Sequence, residues 1–220
     1  MGSTGRKEKE KEIRRNDIID AAERVIFEKG YDAATMDDIA KTAEFSKRTV
    51  YVYFNSKEQI YFEIMIKGYR FMIKRLKDDL HKVSGGPAIE QLRQLYFSFY
   101  RFSRDYPDYF DAIMEYENST FDFQSDIPDQ SIQECYALGE QVFGYLSDIL
   151  KKGVADQSIR DDLSIVKTAL TLWSCVLGVF NTARKKENYI KNYHHTKPDD
   201  LIADAFDIIT RSIRTDEGGN

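Results

Sequence analysis

Residues 36–55 read MDDIAKTAEFSKRTVYVYFN, and the order of apolar, small and polar positions in this stretch decides the fold. Ile39, Ala43, Phe45 and Val50 recur at helical spacing on either side of a short break, so they can pack two short helices together. Ala40 is small enough to stand where the axes cross. Thr35, with Asp38 three residues on, caps the first helix and Ser46 caps the second. The pattern is a helix-turn-helix over residues 35–54. Glu44 is the discordant position: the turn favours glycine in the left-handed region, where another residue costs roughly 1–2 kcal/mol. A strained or distorted turn is expected.

Charge at the helix starts adds an independent clue. Helix N-termini carry partial positive charge and favour acids, as Asp37 and Asp38 provide for the first helix. The next two starts reverse this. Lys47 and Arg48 occupy the first turn after Ser46, and Lys57 follows Ser56, which forms a capping box with Gln59. Residues 46–57 contain no Asp or Glu, although the chain has a formal net charge of −5. Cations at these positions are unfavourable in isolation and make sense if both helix ends face phosphate. On a wheel of residues 46–53, Val50 points inward, Arg48 and Val52 point away, and Lys47, Thr49 and Tyr51 flank them. The outward face is expected to meet double-stranded DNA. Arg48 suits guanine O6 and N7, Thr49 a base edge or phosphate, and Val52 a thymine methyl. Lys47, Tyr51, Tyr53 and Lys57 are expected to hold phosphates, and Thr35 and Ser46 complete the set.

Residues 18–60, IIDAAERVIFEKGYDAATMDDIAKTAEFSKRTVYVYFNSKEQI, resemble the N-terminal domain of the TetR family of bacterial and archaeal regulators. The resemblance is carried by Ala22 and Phe27, Gly30-Tyr31, Thr35-Met36 with Ile39-Ala40, and Tyr51, Tyr53, Phe54, Lys57 and Glu58. It implies a homodimer on a palindromic operator, usually repressing, that a small molecule bound in the body releases. Ala34 stands where the family usually has Thr and Glu44 where it usually has Gly, which affects one phosphate contact and the turn. Residues 61–220 resemble the family only in length and helical layout.

The whole chain, 220 residues with 42% hydrophobic and 31% charged residues, has a globular composition. Pro87, Pro107, Pro128 and Pro198 each precede a helical pattern, and Gly30, Gly85-Gly86 and Gly153 fall at plausible helix ends. The expected fold is all-α: a three-helix head over residues 9–55 and a ligand-binding and dimerisation body over 56–215. About nine helices are read, near 9–29, 35–42, 46–53, 56–82, 87–105, 107–117, 129–152, 162–185 and 199–214. The first five residues and the TDEGGN end are expected to fray. No apolar run near the roughly 18 residues needed to cross a bilayer is read, nor a signal core, which points to the cytoplasm and to no membrane partner. Cys135 and Cys175 lie in apolar helical patterns and are expected to be reduced core thiols. The sequence shows no HExxH, nucleophile elbow, Gly-rich loop followed by Lys, or Glu-x-x-His pair, so no enzyme, cofactor or metal is expected. His194-His195 lacks a third ligand.

The 162–185 helix is apolar nearly all round and should be buried on more than one side. Val166, Leu170, Trp173, Leu177 and Phe180 suit the subunit core, while Thr171, Ser174, Gly178 and Thr182 form a small-residue line open to close approach by a second helix. The 199–214 helix adds Leu201, Ile202, Ala205, Phe206, Ile209 and Ile213. Two such helices per subunit suit a four-helix dimer interface, as is typical of the family, with Thr171, Ser174, Gly178, Thr182, Phe206 and Ile209 at the seam. The alternative is that the small line packs within one subunit. Eleven aromatic residues crowd between Tyr96 and Phe123. A pocket lined by Tyr96, Tyr100, Phe110, Met114 and Trp173 would take a small hydrophobic or aromatic effector, and Asp111 or Glu115 would favour a cation. The alternative function is an all-helical ligand carrier or scaffold that does not bind DNA.

Overall fold

The computed structural model describes residues 3–117 and 130–215. Among them it forms ten helices: α1 (Ser3–Lys29), α2 (Met36–Thr42), α3 (Lys47–Tyr53), α4 (Lys57–His81), α5 (Ala88–Asp105), α6 (Pro107–Glu117), α7 (Gln130–Ala155), α8 (Ile165–Lys185), α9 (Glu187–Asn192) and α10 (Pro198–Ile213). Pro128, the expected helix start at 129, Phe121, Phe123 and residues 216–220 lie outside the described residues. The chain divides into two compact units, Met1–Tyr69 with Asp111–Ala137, and Arg70–Phe110 with Leu138–Asn220, and α4, α6 and α7 each contribute to both.

In the first unit, α1 buries Ile18, Ala21, Ala22 and Val25, the three-and-four spacing of one helix face. It begins at Ser3 rather than near residue 9, so residues 3–5 are helical instead of frayed. The Lys- and Glu-rich run that follows has high helix propensity. α1 ends where Gly30 turns to φ 83° and its N–H donates to the Ile26 carbonyl at 2.8 Å. The caps of α2 and α3 form as expected. Thr35 Oγ1 accepts from the Asp38 N–H at 3.1 Å while Asp38 Oδ2 accepts from the Thr35 N–H at 3.2 Å. Ser46 Oγ accepts from the Thr49 N–H at 3.0 Å. At α4, Ser56 Oγ accepts from the Gln59 N–H, but the Gln59 side chain reaches the N–H of Asn55. Ile39 and Val50 are fully buried and Ala40 nearly so, with Ala43 and Phe45 half-buried. The turn is not distorted: Glu44 adopts φ 59°, and the Phe45 N–H bonds the Ala40 carbonyl at 3.0 Å. The left-handed cost of roughly 1–2 kcal/mol is therefore retained.

In the second unit, α5 turns Leu92, Leu95, Tyr96, Phe99 and Phe102 inward. Tyr96 lies 5.2 Å from Phe180 and 5.1 Å from Phe206, ring centre to ring centre, so α5, α8 and α10 share one aromatic core. Asp79 is a buried carboxylate that accepts from Lys82 at 2.7 Å, Ser98 at 2.7 Å and Arg101 at 2.9 Å. Burial pushes its pKa up, but these donors outweigh burial and hold it well below the usual carboxylate range. Gly153 lies inside α7 rather than beyond its end: a Cβ there would fall 2.3 Å from the Ile159 side chain, so the residue is needed for close packing. α8 starts at Ile165, not 162. α9 is a helix the sequence pattern did not reveal, because its six residues bury only Ile190 and carry too little periodicity.

Candidate nucleic-acid interface and body surfaces

α3 presents the outward face its wheel predicts. Val50 is fully buried beneath it, whereas Val52 is 71% and Tyr51 45% exposed. Arg48 is exposed and makes no hydrogen bond or ion pair among the described residues. Lys47 Nζ donates to Asp37 Oδ2 at 2.7 Å on the surface, and that carboxylate raises the lysine's pKa. Thr49 Oγ1 lies 2.7 Å from Ser46 Oγ, so this hydroxyl serves the cap. Tyr53 is half-buried. Thr35 is exposed but tied to Asp38, whose carboxyl is held at about 2, first by the hydrogen bond from Lys29 and then by Thr35.

Lys57 is engaged within the fold. Its ammonium donates to the carbonyls of Tyr31 at 2.5 Å, Ala34 at 2.9 Å and Asp32 at 3.5 Å. It also sits 4.2 Å from the Tyr31 ring centre. The loop after α1 turns these carbonyls toward one point, and a cation with three donors satisfies them together. Sequence reasoning missed the partners beyond it. Tyr31 packs 4.4 Å from Tyr61, and the Tyr61 hydroxyl donates to Glu115 Oε2 at 3.0 Å. Burial, then the Glu115 charge, pushes the Tyr61 pKa far up, so it remains a donor. Nothing in linear spacing pairs residues 61 and 115.

The expected pocket is only partly assembled. An apolar cavity of 50 Å³ is lined by Leu92, Tyr96, Phe99, Leu146, Trp173 and Ile209, among others, small against the roughly 300–1,000 Å³ of typical ligand sites. Of the expected lining, Tyr96 and Trp173 are there. Tyr100 instead donates its hydroxyl to Asp199 at 2.5 Å, and Phe110 is buried against Phe99 under the Arg184 guanidinium. Asp111 and Met114 belong to the first unit, because α6 crosses the boundary between units. A charged groove of 700 Å³ runs past Lys74, Arg75, Lys82 and Arg101, but Asp79 engages Lys82 and Arg101, and Asp105 engages Arg75 at 2.5 Å.

α8 is more open than its pattern suggested. By length and composition it is apolar enough to cross a bilayer, contrary to the sequence expectation, and only 17% of its most apolar stretch is buried. Phe180 is in the core, but Val166 is 60% and Leu170 52% exposed. Thr171, Ser174, Gly178 and Thr182 are exposed too, and a Cβ on Gly178 would meet nothing within 4 Å. Cys175 is an exposed thiol rather than a core one, whereas Cys135 is buried. On α10 the expected seam residues turn inward: Phe206 is 1% exposed and Ile209 lines the cavity. The outward apolar residue is Ile208, 67% exposed, because the buried Phe206 and Thr210 stand two positions to either side of it.

Residues 18–64 match the family described as bacterial regulatory proteins, tetR family. A 71-residue stretch is 35% identical to the biofilm operon icaADBC HTH-type negative transcriptional regulator IcaR of Staphylococcus epidermidis, covering 31% of this chain and 38% of that protein. Another, of 67 residues, is 42% identical to the HTH-type transcriptional regulator BetI of Rhizobium meliloti, covering 30% and 31%. The chain thus spans less than two-fifths of the length of these relatives. The fold match is broader: FadR of Bacillus subtilis, solved in complex with stearoyl-CoA, aligns over 90% of this chain and 98% of its own, with a TM-score of 0.67 at 20% identity. The head thus matches the TetR family in sequence, and the chain as a whole shares the fold of solved regulators such as FadR.

Proposed function

We propose that the chain is a sequence-specific, DNA-binding transcriptional regulator, a repressor that a small-molecule ligand releases, and not an enzyme. Residues 9–55 form its DNA-binding domain and residues 56–215 its ligand-binding and dimerisation domain. The observation that carries this is the outward strip of α3, where Arg48, unpaired among the described residues, stands beside exposed Tyr51 and Val52 over a buried Val50. A base-reading helix needs donors and apolar groups in that arrangement on a fixed support. Two copies pair through the open face of α8 and Ile208 of α10, giving two heads for a palindrome. The effector is apolar or aromatic and enlarges the cavity beside Trp173; FadR of Bacillus subtilis carries stearoyl-CoA in its solved complex. The protein works in the cytoplasm, where its DNA is.

Selection of bound sequences from a random duplex pool tests this. A two-fold symmetric site is expected to be enriched. A pool that stays random after repeated rounds would favour a helical carrier without DNA binding.

A further inference from the structure

α1 extends well beyond the head it supports, and the residues matched to the family begin only at 18. Lys7, Lys11 and Arg14 are spaced four and three apart, on the helix line that continues through Ile18, Ala21 and Val25. They therefore continue the face with which α1 packs onto the head core. All three are exposed and make no ion pair among the described residues. Glu8, Glu10 and Glu12 sit off that line, with Glu10 held by Arg6 at 3.2 Å. Arg15 fixes the root of the extension: its guanidinium lies 5.0 Å from the ring centre of Phe54, the C-cap of α3, and 2.6 Å from Glu63. From Arg15 to Ser3 the helix reaches about 18 Å further.

We propose that this extension is a second DNA contact, an arm whose Lys7, Lys11 and Arg14 lie along the phosphates of duplex DNA flanking each half-site. The charge complements a polyanion, and Arg15, which follows the last residue of the stripe, packs on Phe54 at the C-terminal end of the helix proposed to read bases. Such contacts carry no base preference and release counterions. The inference rests on the DNA-binding reading above.

The test uses the full chain and its selected palindrome, in duplexes with either no flank or about six base pairs of flank on each side. The parent chain is expected to bind the flanked duplex about tenfold more tightly at low salt. K7A/K11A/R14A should lose that gain, keep the same base preference and melting temperature, and show a salt dependence shallower by up to roughly three units per subunit. K7R/K11R/R14K should retain the gain. A triple alanine variant matching the parent on flanked DNA, in affinity and salt slope, overturns the arm and leaves the DNA-binding reading standing. A parent that binds no duplex overturns both.

Discussion

The Tyr61 hydroxyl donates to Glu115 at 3.0 Å while its ring lies 4.4 Å from that of Tyr31, which is itself covered by Lys57 at 4.2 Å. α6, α4 and the loop before α2 are thus joined by side chains in one unit. Tyr61→Phe keeps the ring contact and removes the donor, so it should cost about 1 kcal/mol, a fall of roughly 2–4 °C in Tm. An unchanged melt would mean that the hydrogen bond contributes nothing.

Lys57→Met retains the apolar stem and leaves the Tyr31 and Ala34 carbonyls without their cation. The loss should be of stability, about 1–3 kcal/mol, and the salt slope of DNA binding should stay as it was. A shallower slope in a protein of unaltered stability would restore Lys57 to the phosphate.

Arg48→Ala should behave oppositely. With no partner in the fold among the described residues, its removal should leave the melt alone. It should cost about 1–3 kcal/mol on the selected operator and relax one base pair per half-site. Equal losses on operator and scrambled duplex would remove it from base reading.

Gly178→Arg tests the subunit seam. A side chain at Gly178 meets open space in one subunit, so the variant should fold, but bulk and charge in an apolar seam should separate the subunits. Sedimentation should show a monomer with weakened operator binding; a folded variant that remains dimeric would place the interface elsewhere.

Acid should expose the α2 cap. The folded Asp38 carboxyl, at about 2, lies below its ordinary 3.8, chiefly through the hydrogen bond from Lys29. As pH falls the unfolded chain takes up this proton first, so the stabilisation is whole above about pH 4 and disappears as pH falls through about 2. Asp38→Asn should therefore be less stable than the parent at pH 6 and nearly equal to it near pH 2. A gap of the same size at both pH values would refute the assignment.

The head was legible because local chemistry determines it. Thr35, Asp38 and Ser46 cap within three residues, and Ile39, Ala40 and Val50 pack within a dozen, so linear spacing carries the geometry. The partners of Lys57 were missed for the complementary reason: they lie 23 and 26 residues back, and only the folded loop brings their carbonyls together. In the body, helix existence followed from periodicity, but the side each helix buries did not. α8 is apolar nearly all round, which leaves rotation undetermined, so Val166 and Leu170 were assigned to a core they do not enter. One residue of phase on α10 likewise separates Ile208 from Ile209. The pocket was the least legible part, since aromatic density marks a core and a ligand cage alike.

The open face of α8 makes abundance part of the protein's physical chemistry. If a second copy completes that face, association is linked to folding, and the protein's resistance to unfolding rises with its own concentration. A scarce regulator would then be both less paired and less durable, so its supply in the cell would set its lifetime as well as its occupancy of DNA.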